Sequence, residues 1–143
     1  MLLLIRHADA ETMNAAGDHA RTLADSGLRQ LPALADWFQR HLGKEQARML
    51  VSDARRTQQT GEALAARVQV RPCFEPRIYE ASLASLLALL DEHHDADYLA
   101  MVGHNPGLSE LASHLTGQRI GLPTAGAVAL DQQHRLISRH PGS

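Results

Sequence analysis

The chain of 143 residues contains a single cysteine, no long apolar run and no block of basic residues. Cys73 has no partner for an internal disulfide bond, and the paired cysteine and histidine spacings that bind zinc are absent. No apolar run approaches the length of a transmembrane helix. The opening MLLLI is too short for the core of a signal peptide and lacks a basic leader, so it predicts a strand in a cytoplasmic protein.

Charges of the two signs are nearly balanced, with 14 lysines and arginines against 16 aspartates and glutamates and a formal net charge of −2. Binding to nucleic acid or to a membrane surface needs a basic field, which this composition lacks. We therefore expect no nucleic-acid partner and no membrane partner. The length and the hydrophobic fraction of 44% allow a real core, and the length predicts a single domain over residues 1–143, which we expect to be a monomer.

Apolar segments of strand length alternate with segments of helical periodicity. Strands are predicted at residues 2–5, 48–52, 68–71 and 98–103. The runs that are apolar at consecutive positions are typical of strands covered on both faces, as in a parallel sheet. Two further apolar segments, at residues 127–130 and 135–138, flank DQQH and predict an antiparallel hairpin. The order predicts an α/β three-layer sandwich, a mostly parallel sheet with helices on both faces and a C-terminal antiparallel hairpin.

Helices are predicted between the strands, with their apolar stripes at residues 28–42, 53–67, 83–90 and 106–115. Asp25 or Ser26 is the predicted N-cap of the first helix. Pro32 is expected to kink that helix or to delay its start. Asn105 is predicted to cap the last helix, with Pro106 as its first residue.

Arginine and histidine residues follow three of the predicted strands. Arg6 and His7 come directly after the first strand, Arg56 lies one turn beyond Ser52 at the end of the second, and His104 follows the fourth. Ligands of such sheets bind beyond the carboxyl ends of the strands, so these side chains are expected to converge. A guanidinium group binds two phosphoryl oxygens through two parallel hydrogen bonds, and a neutral histidine supplies a nucleophilic nitrogen. The pattern predicts phosphate chemistry, while the absence of a Walker loop and of a dinucleotide glycine fingerprint argues against nucleotide-binding versions of the fold.

Four segments, LIRHADAE, LVSDARRTQQT, IYEAS and VGHNPGL, occur in this order along essentially the whole chain. Together they resemble the histidine phosphatase superfamily (phosphoglycerate mutase-like), and specifically its SixA-type protein phosphohistidine phosphatase branch. The resemblance implies that His7 is the nucleophile beside Arg6, and that Arg56 and His104 bind the phosphoryl group. It also implies a phosphate-binding role for Arg21, which matches the arginine that this branch carries ahead of the first long helix.

An acidic residue before the third helix is a further feature of the family, and Glu80 is its best match. The resemblance implies that Glu80 protonates the leaving group and later activates water. Asp9 and Glu11 in the first loop remain alternatives for this role. The sequence departs from the superfamily pattern at Ala8, where glycine usually follows the Arg-His pair, and at Asp53, where proline usually follows the serine.

The mechanism that the resemblance implies has two steps. Neutral His7 attacks phosphorus while its other ring nitrogen is held by a backbone carbonyl, and water then hydrolyses the phosphohistidine. Arg6, Arg21, Arg56 and His104 stabilise the charge on the phosphoryl oxygens. No metal or other cofactor is expected, because three guanidinium groups more than offset two negative charges.

Short connections between the elements leave no insertion that would form a lid. An open pocket favours phosphohistidine on a protein over a small ester that needs enclosure. One alternative is a phosphatase of small esters such as sugar or nucleotide phosphates. Another is a non-catalytic module that binds phosphohistidine, another anion, or a metal through His7 and His104. Two other interpretations are structural: Arg55 as a solvated or rim residue, and Arg21 in an ion pair with Asp18 or Asp25.

Overall fold

The computed structural model describes residues 1–42 and 47–143, which form a six-stranded sheet flanked by helices. The strands are β1 (Leu2–Arg6), β2 (Ala47–Val51), β3 (Pro72–Phe74), β4 (Tyr98–Gly103), β5 (Gly126–Leu130) and β6 (Leu136–Pro141). The helices are α1 (Asp25–His41), α2 (Arg55–Val68), α3 (Leu83–Glu92) and α4 (Gly107–Thr116). In the described ranges, no helix is long and apolar enough to cross a membrane.

The strand order is β3-β2-β4-β1-β5-β6. The first four strands of this order are parallel to one another, whereas β5 is antiparallel to both β1 and β6. The mostly parallel sheet and the C-terminal antiparallel hairpin predicted from the sequence are confirmed. This order places the carboxyl ends of β1, β2 and β4 side by side at one edge of the sheet.

Alternate residues of β1 point to opposite faces of the sheet. Leu3 and Ile5 belong to the core that α1 and α2 cover, whereas Leu2 and Leu4 belong to the core that α3 and α4 cover. The first four residues of the strand are therefore all apolar because both faces are buried. The prediction of helices on both faces is confirmed.

The position of the third predicted strand is wrong. The pattern predicts a strand at 68–71, but Val68 is the last residue of α2, and β3 lies at Pro72–Phe74. Gln69 ends the helix in a left-handed conformation with φ of 58°, and its N–H donates to the carbonyl of Ala65 (2.8 Å). The side chain of Val68 packs into the core as a helical residue, and the short edge strand has no buried stripe to mark it.

The start of α1 also differs from the prediction. The helix begins at Asp25 with Ala24 in the N-cap position, so neither predicted residue caps it with its side chain. A tertiary contact fixes this start instead, since the N–H of Ala24 donates to the carbonyl of Asp9 (3.0 Å). Gly27 packs so closely on the same loop that a Cβ there would lie 2.0 Å from that oxygen. Pro32 lies inside the helix and does not delay its start.

The start of α4 is shifted in the opposite direction. Gly107 is the first helical residue and Pro106 occupies the N-cap position, so the predicted assignment of these positions is wrong. Asn105 still binds the first turn, because its Oδ1 accepts from the N–H (3.3 Å) and the hydroxyl (2.6 Å) of Ser109. Its Nδ2 donates to the carbonyl of Leu122 (2.8 Å), which ties the helix start to the segment before β5.

Candidate active site

A cavity of about 540 Å³ opens at the carboxyl ends of β1 and β4. Its lining includes all six residues that the sequence predicts for the site: Arg6, His7, Arg21, Arg56, Glu80 and His104. Of the two alternative acids, Asp9 lines the cavity, and Glu11 is not among the described residues that do. The fold therefore brings together residues from five separate segments of the chain.

His7 is held by its neighbours on both sides. Its N–H donates to the carbonyl of Gly103 (3.1 Å), and its carbonyl accepts from the N–H of Ala125 (2.9 Å). The ring Nδ1 lies 2.7 Å from the carbonyl oxygen of Ala8. A carbonyl oxygen only accepts, so Nδ1 carries the proton and Nε2 keeps its lone pair. This is the backbone contact that the sequence analysis predicts for the nucleophile.

The charge state of His7 follows from its surroundings. Burial lowers its pKa to about 4, and the bond to Ala8 opposes this shift only partly. The guanidinium groups of Arg56, Arg6 and Arg21 lower the pKa further because each repels an imidazolium ion. At neutral pH the side chain is therefore an uncharged imidazole beside three cations.

Ala8, the residue after His7, connects the end of β1 to α2. Ala8 is fully buried, and its N–H donates to the hydroxyl of Thr60 in α2 (3.1 Å). The same hydroxyl donates to the carbonyl of Arg56 (2.9 Å). Thr60 thus connects the segment after β1 to the helix that carries Arg56.

His104 is oriented by Ser52. Its Nε2 lies 2.7 Å from the hydroxyl oxygen of Ser52, which also accepts a weaker bond from the N–H of Ala54 (3.4 Å). We assign the hydroxyl proton to this contact, so His104 carries its own proton on Nδ1. That Nδ1 is buried without a partner among the described residues. Burial lowers the pKa of His104 to about 3, and nearby Arg56 and His7 lower it further, so the ring is a neutral donor.

Arg56 and its neighbour Arg55 have different surroundings. Arg56 is 6% exposed and lines the cavity, whereas Arg55 is exposed and its Nη1 donates to Gln58 on the same helix (3.2 Å). Successive residues of a helix point about 100° apart, which separates the two side chains. The geometry is the one expected if Arg56 alone binds phosphate.

The side chain of Asp18 lines the cavity and bridges Arg21 and Arg56. Its Oδ1 accepts from Nη1 of Arg21 (2.8 Å), and its Oδ2 accepts from Nη2 of Arg56 (3.1 Å) and from the hydroxyl of Tyr79 (2.6 Å). Nη1 of Arg56 also donates to the main-chain carbonyl of Asp18 (2.8 Å). The bonds from Tyr79, Arg21 and Arg56 hold the pKa of Asp18 far below its usual range, and the pKa of Tyr79 rises to about 12.

Sequence reasoning missed most of this arrangement. The predicted ion pair between Arg21 and Asp18 is present. Asp18 also contacts Arg56, which is 38 positions away in the sequence, and Tyr79, which is 61 positions away. Tyr79 stands beside Glu80 and carries no signal of its own in the sequence. Only its place in the IYEAS segment points to the site.

The unusual acidic residue after Ser52 lies outside the cavity lining. The Oδ1 of Asp53 is 2.9 Å from Nε2 of His19, on the neighbouring surface. The ring of His19 meets the ring of Tyr79 edge-on, with centroids 4.8 Å apart. The departure from the family pattern thus places a negative charge beside His19 rather than among the arginines of the cavity.

The candidate acids differ in how they are held. The carboxylate of Asp9 accepts from the hydroxyl of Thr124, and its main-chain N–H donates to Oε1 of Gln30 (2.8 Å). Glu80 is exposed and adopts a φ of 53°, which non-glycine residues rarely adopt. The carboxylate of Glu11 accepts from the side chain of Asn14 (2.9 Å), and Glu11 is not among the described residues that line the cavity.

The charges that line the cavity sum to zero. Arg6, Arg21 and Arg56 are matched by Asp9, Asp18 and Glu80, and both histidines are neutral. In the protein without a bound anion, three carboxylates of the lining therefore formally offset its three guanidinium groups. Within residues 1–42 and 47–143, no group of three or more histidine, cysteine, aspartate or glutamate side chains is arranged to hold a metal ion.

Comparisons with solved structures show the same fold. A SixA protein from Agrobacterium tumefaciens is 27% identical with a TM-score of 0.87, over 97% of this chain and 96% of that chain. The protein histidine phosphatase SixA complexed with tungstate is 21% identical, with a TM-score of 0.82 over 99% of this chain and 96% of that chain. The alpha-ribazole phosphatase from Shigella flexneri is 16% identical, with a TM-score of 0.71 over 92% and 91%. Below 25% identity this likeness concerns the fold alone.

Sequence comparisons identify the family. An uncharacterized chloroplastic protein from Arabidopsis thaliana is 31% identical over 144 residues, which cover 90% of this chain. The match spans 65% of that relative, less than two thirds of its length. Residues 2–105, which include the segments around His7, Arg56 and His104, match the histidine phosphatase superfamily (branch 1). The chain belongs to the histidine phosphatase superfamily.

Proposed function

We propose that this protein is a phosphatase that forms a phosphohistidine intermediate on His7 and removes the phosphoryl group from phosphohistidine on a protein. The observation that carries this proposal is the state of His7. Its Nδ1 donates to Ala8, its Nε2 keeps a lone pair, and a pKa of about 4 leaves it neutral beside Arg6 and Arg56. A neutral imidazole of fixed tautomer next to guanidinium groups is suited to attack a phosphoryl dianion.

In the first step, the lone pair on Nε2 of His7 forms a bond to phosphorus while the bond from phosphorus to the leaving nitrogen breaks. The electron pair of that bond goes to the leaving imidazole, which takes a proton from solvent or from a carboxylic acid of the cavity. Arg6, Arg21, Arg56 and Nδ1–H of His104 stabilise the charge on the phosphoryl oxygens in this scheme. No metal or other cofactor takes part in the proposed step.

In the second step, water attacks phosphorus, the bond to Nε2 breaks, and His7 returns to its neutral form. A carboxylate accepts the proton that the water releases. Glu80 is our first choice for this general acid and base, because it lines the cavity at the position that matches the family's acidic residue. Asp9 is the alternative in the same cavity, whereas Glu11 is not among the described residues that line it.

A protein-bound substrate is favoured by the likeness to SixA proteins, one of them 27% identical over nearly the whole chain. Small-ester hydrolysis is the second candidate, since the alpha-ribazole phosphatase from Shigella flexneri shares the fold. Uniform binding of the phosphoryl group alone does not raise turnover, so the rest of the substrate has to contribute contacts in the transition state. A phosphorylated domain supplies these contacts across the rim of the cavity.

Acid-quenched trapping of a labelled enzyme tests the proposal. The wild-type chain, mixed with a protein that carries labelled phosphohistidine, is expected to show an acid-labile phosphoenzyme, and His7→Ala is expected to show none while remaining folded. Phosphoenzyme formation by His7→Ala would place the nucleophile elsewhere. Specificity constants for the phosphoprotein and for sugar and nucleotide phosphates, measured in one buffer, decide the substrate class. Binding without turnover would favour the non-catalytic module.

A further inference from the structure

Asp18 occupies the position in the cavity at which an anion is expected. Its carboxylate accepts hydrogen bonds from Arg21, Arg56 and Tyr79, and its main-chain carbonyl accepts another from Arg56. These two guanidinium groups are the ones that lower the pKa of His7 together with Arg6. The donors that face a phosphoryl group in the proposed reaction are thus already partly taken by a carboxylate of the chain itself.

Three donors on residues that line the cavity have no acceptor among the described residues. Nε of Arg6, Nε of Arg56 and Nδ1 of His104 are buried and unpaired among the described residues. Buried donors without a partner are unfavourable, and their clustering in one cavity indicates a site that a ligand completes. Asp18 binds Nη1 and Nη2 of Arg56 and does not bind these three donors.

The charge of the cavity lining also indicates that Asp18 competes with a bound anion. With Asp18 in place, the lining of the cavity carries three positive and three negative groups. A phosphoryl dianion is attracted to this lining only weakly until the carboxylate of Asp18 moves away. Its departure frees Arg21 and Arg56 for the fork-like contacts that guanidinium groups make with phosphate.

The segment that carries Asp18 is suited to such a movement. Asp18 is the first residue of the 3₁₀ turn Asp18–Ala20 and follows Gly17, which adopts a φ of 105° that glycine reaches without steric cost. The side chain of Asp18 is 49% exposed, whereas that of Arg56 is 7% exposed. The carboxylate can therefore turn into water while the guanidinium group stays in place.

We propose that Asp18 competes with the phosphoryl group for Arg21 and Arg56 and so sets the affinity of the site for phosphate. In the free protein the carboxylate holds both guanidinium groups, and it gives them up when a phosphoryl group binds. When the inorganic phosphate product leaves, the carboxylate returns, which favours product release. This inference rests on the proposed function, since it concerns the same phosphate site.

Direct binding of inorganic phosphate, measured by isothermal titration calorimetry, tests the inference without turnover. Asp18→Asn keeps the size of the side chain and removes its charge, and we expect it to tighten phosphate binding by about tenfold. Tyr79→Phe removes one bond that holds the carboxylate and is expected to tighten binding less. Asp95→Asn is the matched control, because it removes the charge of an exposed carboxylate that pairs with Arg48 outside the lining of the cavity, and it should leave the affinity within about twofold.

Each outcome decides between separate ideas. Weaker or unchanged phosphate binding by Asp18→Asn overturns the inference. Weaker binding would show that the carboxylate orients the arginines for phosphate. If Asp18→Asn does not fold, Tyr79→Phe takes its place, and unchanged or weaker binding by that variant overturns the inference as well. A wild-type protein that binds neither phosphate nor tungstate contradicts the proposed function instead.

Discussion

The hydroxyl oxygen of Ser52 lies 2.7 Å from Nε2 of His104, and with the hydroxyl proton assigned to this contact His104 carries its own proton on Nδ1. The two residues directly follow β2 and β4, which pair in parallel with Val51 opposite Val102. The N–H of Ser52 donates to the carbonyl of Val102 (3.0 Å), so the register of the sheet continues to the point where the side chains meet. Sheet pairing thus prepares Nδ1–H of His104 as a donor.

Ser52→Ala is expected to lower kcat by about tenfold or more, because His104 loses the partner that keeps Nε2 unprotonated and Nδ1–H available. Nitrogen NMR shifts of His104 should report a change or a mixture of tautomers in this variant. Thr57→Ala is the matched control: it removes another buried hydroxyl, bonded to the carbonyls of Ser52 and Ala54 rather than to His104. Equal losses of kcat in the two variants would contradict the assigned role.

The pKa of His7, about 4, predicts the pH dependence of activity. The neutral nucleophile predominates above pH 5, so activity with p-nitrophenyl phosphate should fall below that pH as His7 is protonated. A pH–rate profile of single-turnover phosphoenzyme formation measures this limb directly. An acidic limb centred near the ordinary histidine pKa of about 6.5 would show that the site does not lower the pKa of His7.

Stability should depend on pH for the same reason. His7 and His104 have pKa values of about 4 and about 3 in the folded protein, below their value of about 6.5 in the unfolded chain. Between pH 4 and pH 6.5 the unfolded chain therefore binds more protons than the folded protein. The free energy of unfolding is highest above pH 6.5 and decreases as the pH falls towards 4. Urea unfolding at several pH values should show a smaller decrease for His7→Gln. An unchanged slope would contradict the depressed pKa.

Arg56→Ala is expected to lower kcat/KM by at least about a hundredfold, because a buried phosphate-binding guanidinium group is lost. Arg55→Ala is the matched control, since it removes the same charge one residue away on an exposed face, and it should change kcat/KM by less than about twofold. Steady-state kinetics on one substrate give the comparison. Equal losses would mean that the two arginines share the site.

Substitution of the two candidate acids separates their roles. Glu80→Gln should slow hydrolysis of an alkyl phosphate much more than that of p-nitrophenyl phosphate, whose good leaving group needs little protonation. Asp9→Asn is the parallel variant, because Asp9 lines the same cavity. If only Asp9→Asn discriminates between the two esters, the general acid is Asp9. An equal effect of Glu80→Gln on both esters excludes it from acid catalysis.

Much of the architecture follows from the sequence alone. A strand such as β1, apolar at four consecutive positions, has to be covered on both faces, and this predicts the central parallel sheet. Arg6, His7 and His104 end such strands, and the carboxyl ends of parallel strands meet at one edge, so their convergence follows from local pattern and topology. The type of residue at these ends was sufficient to indicate phosphate chemistry.

Other features were decided only by the tertiary structure. The start of α1 depends on the close approach of Gly27 to Asp9, which overrides the capping preference of the local sequence. The contact of Asp18 with Tyr79 joins side chains 61 residues apart, and its geometry depends on how two loops lie over the sheet edge. Local propensity carries no information on such contacts, because their energy comes from groups that become neighbours only when the chain has folded. The sequence by itself therefore determined where Arg6, His7 and His104 gather, and the fold decided that Asp18 binds Arg21 and Arg56.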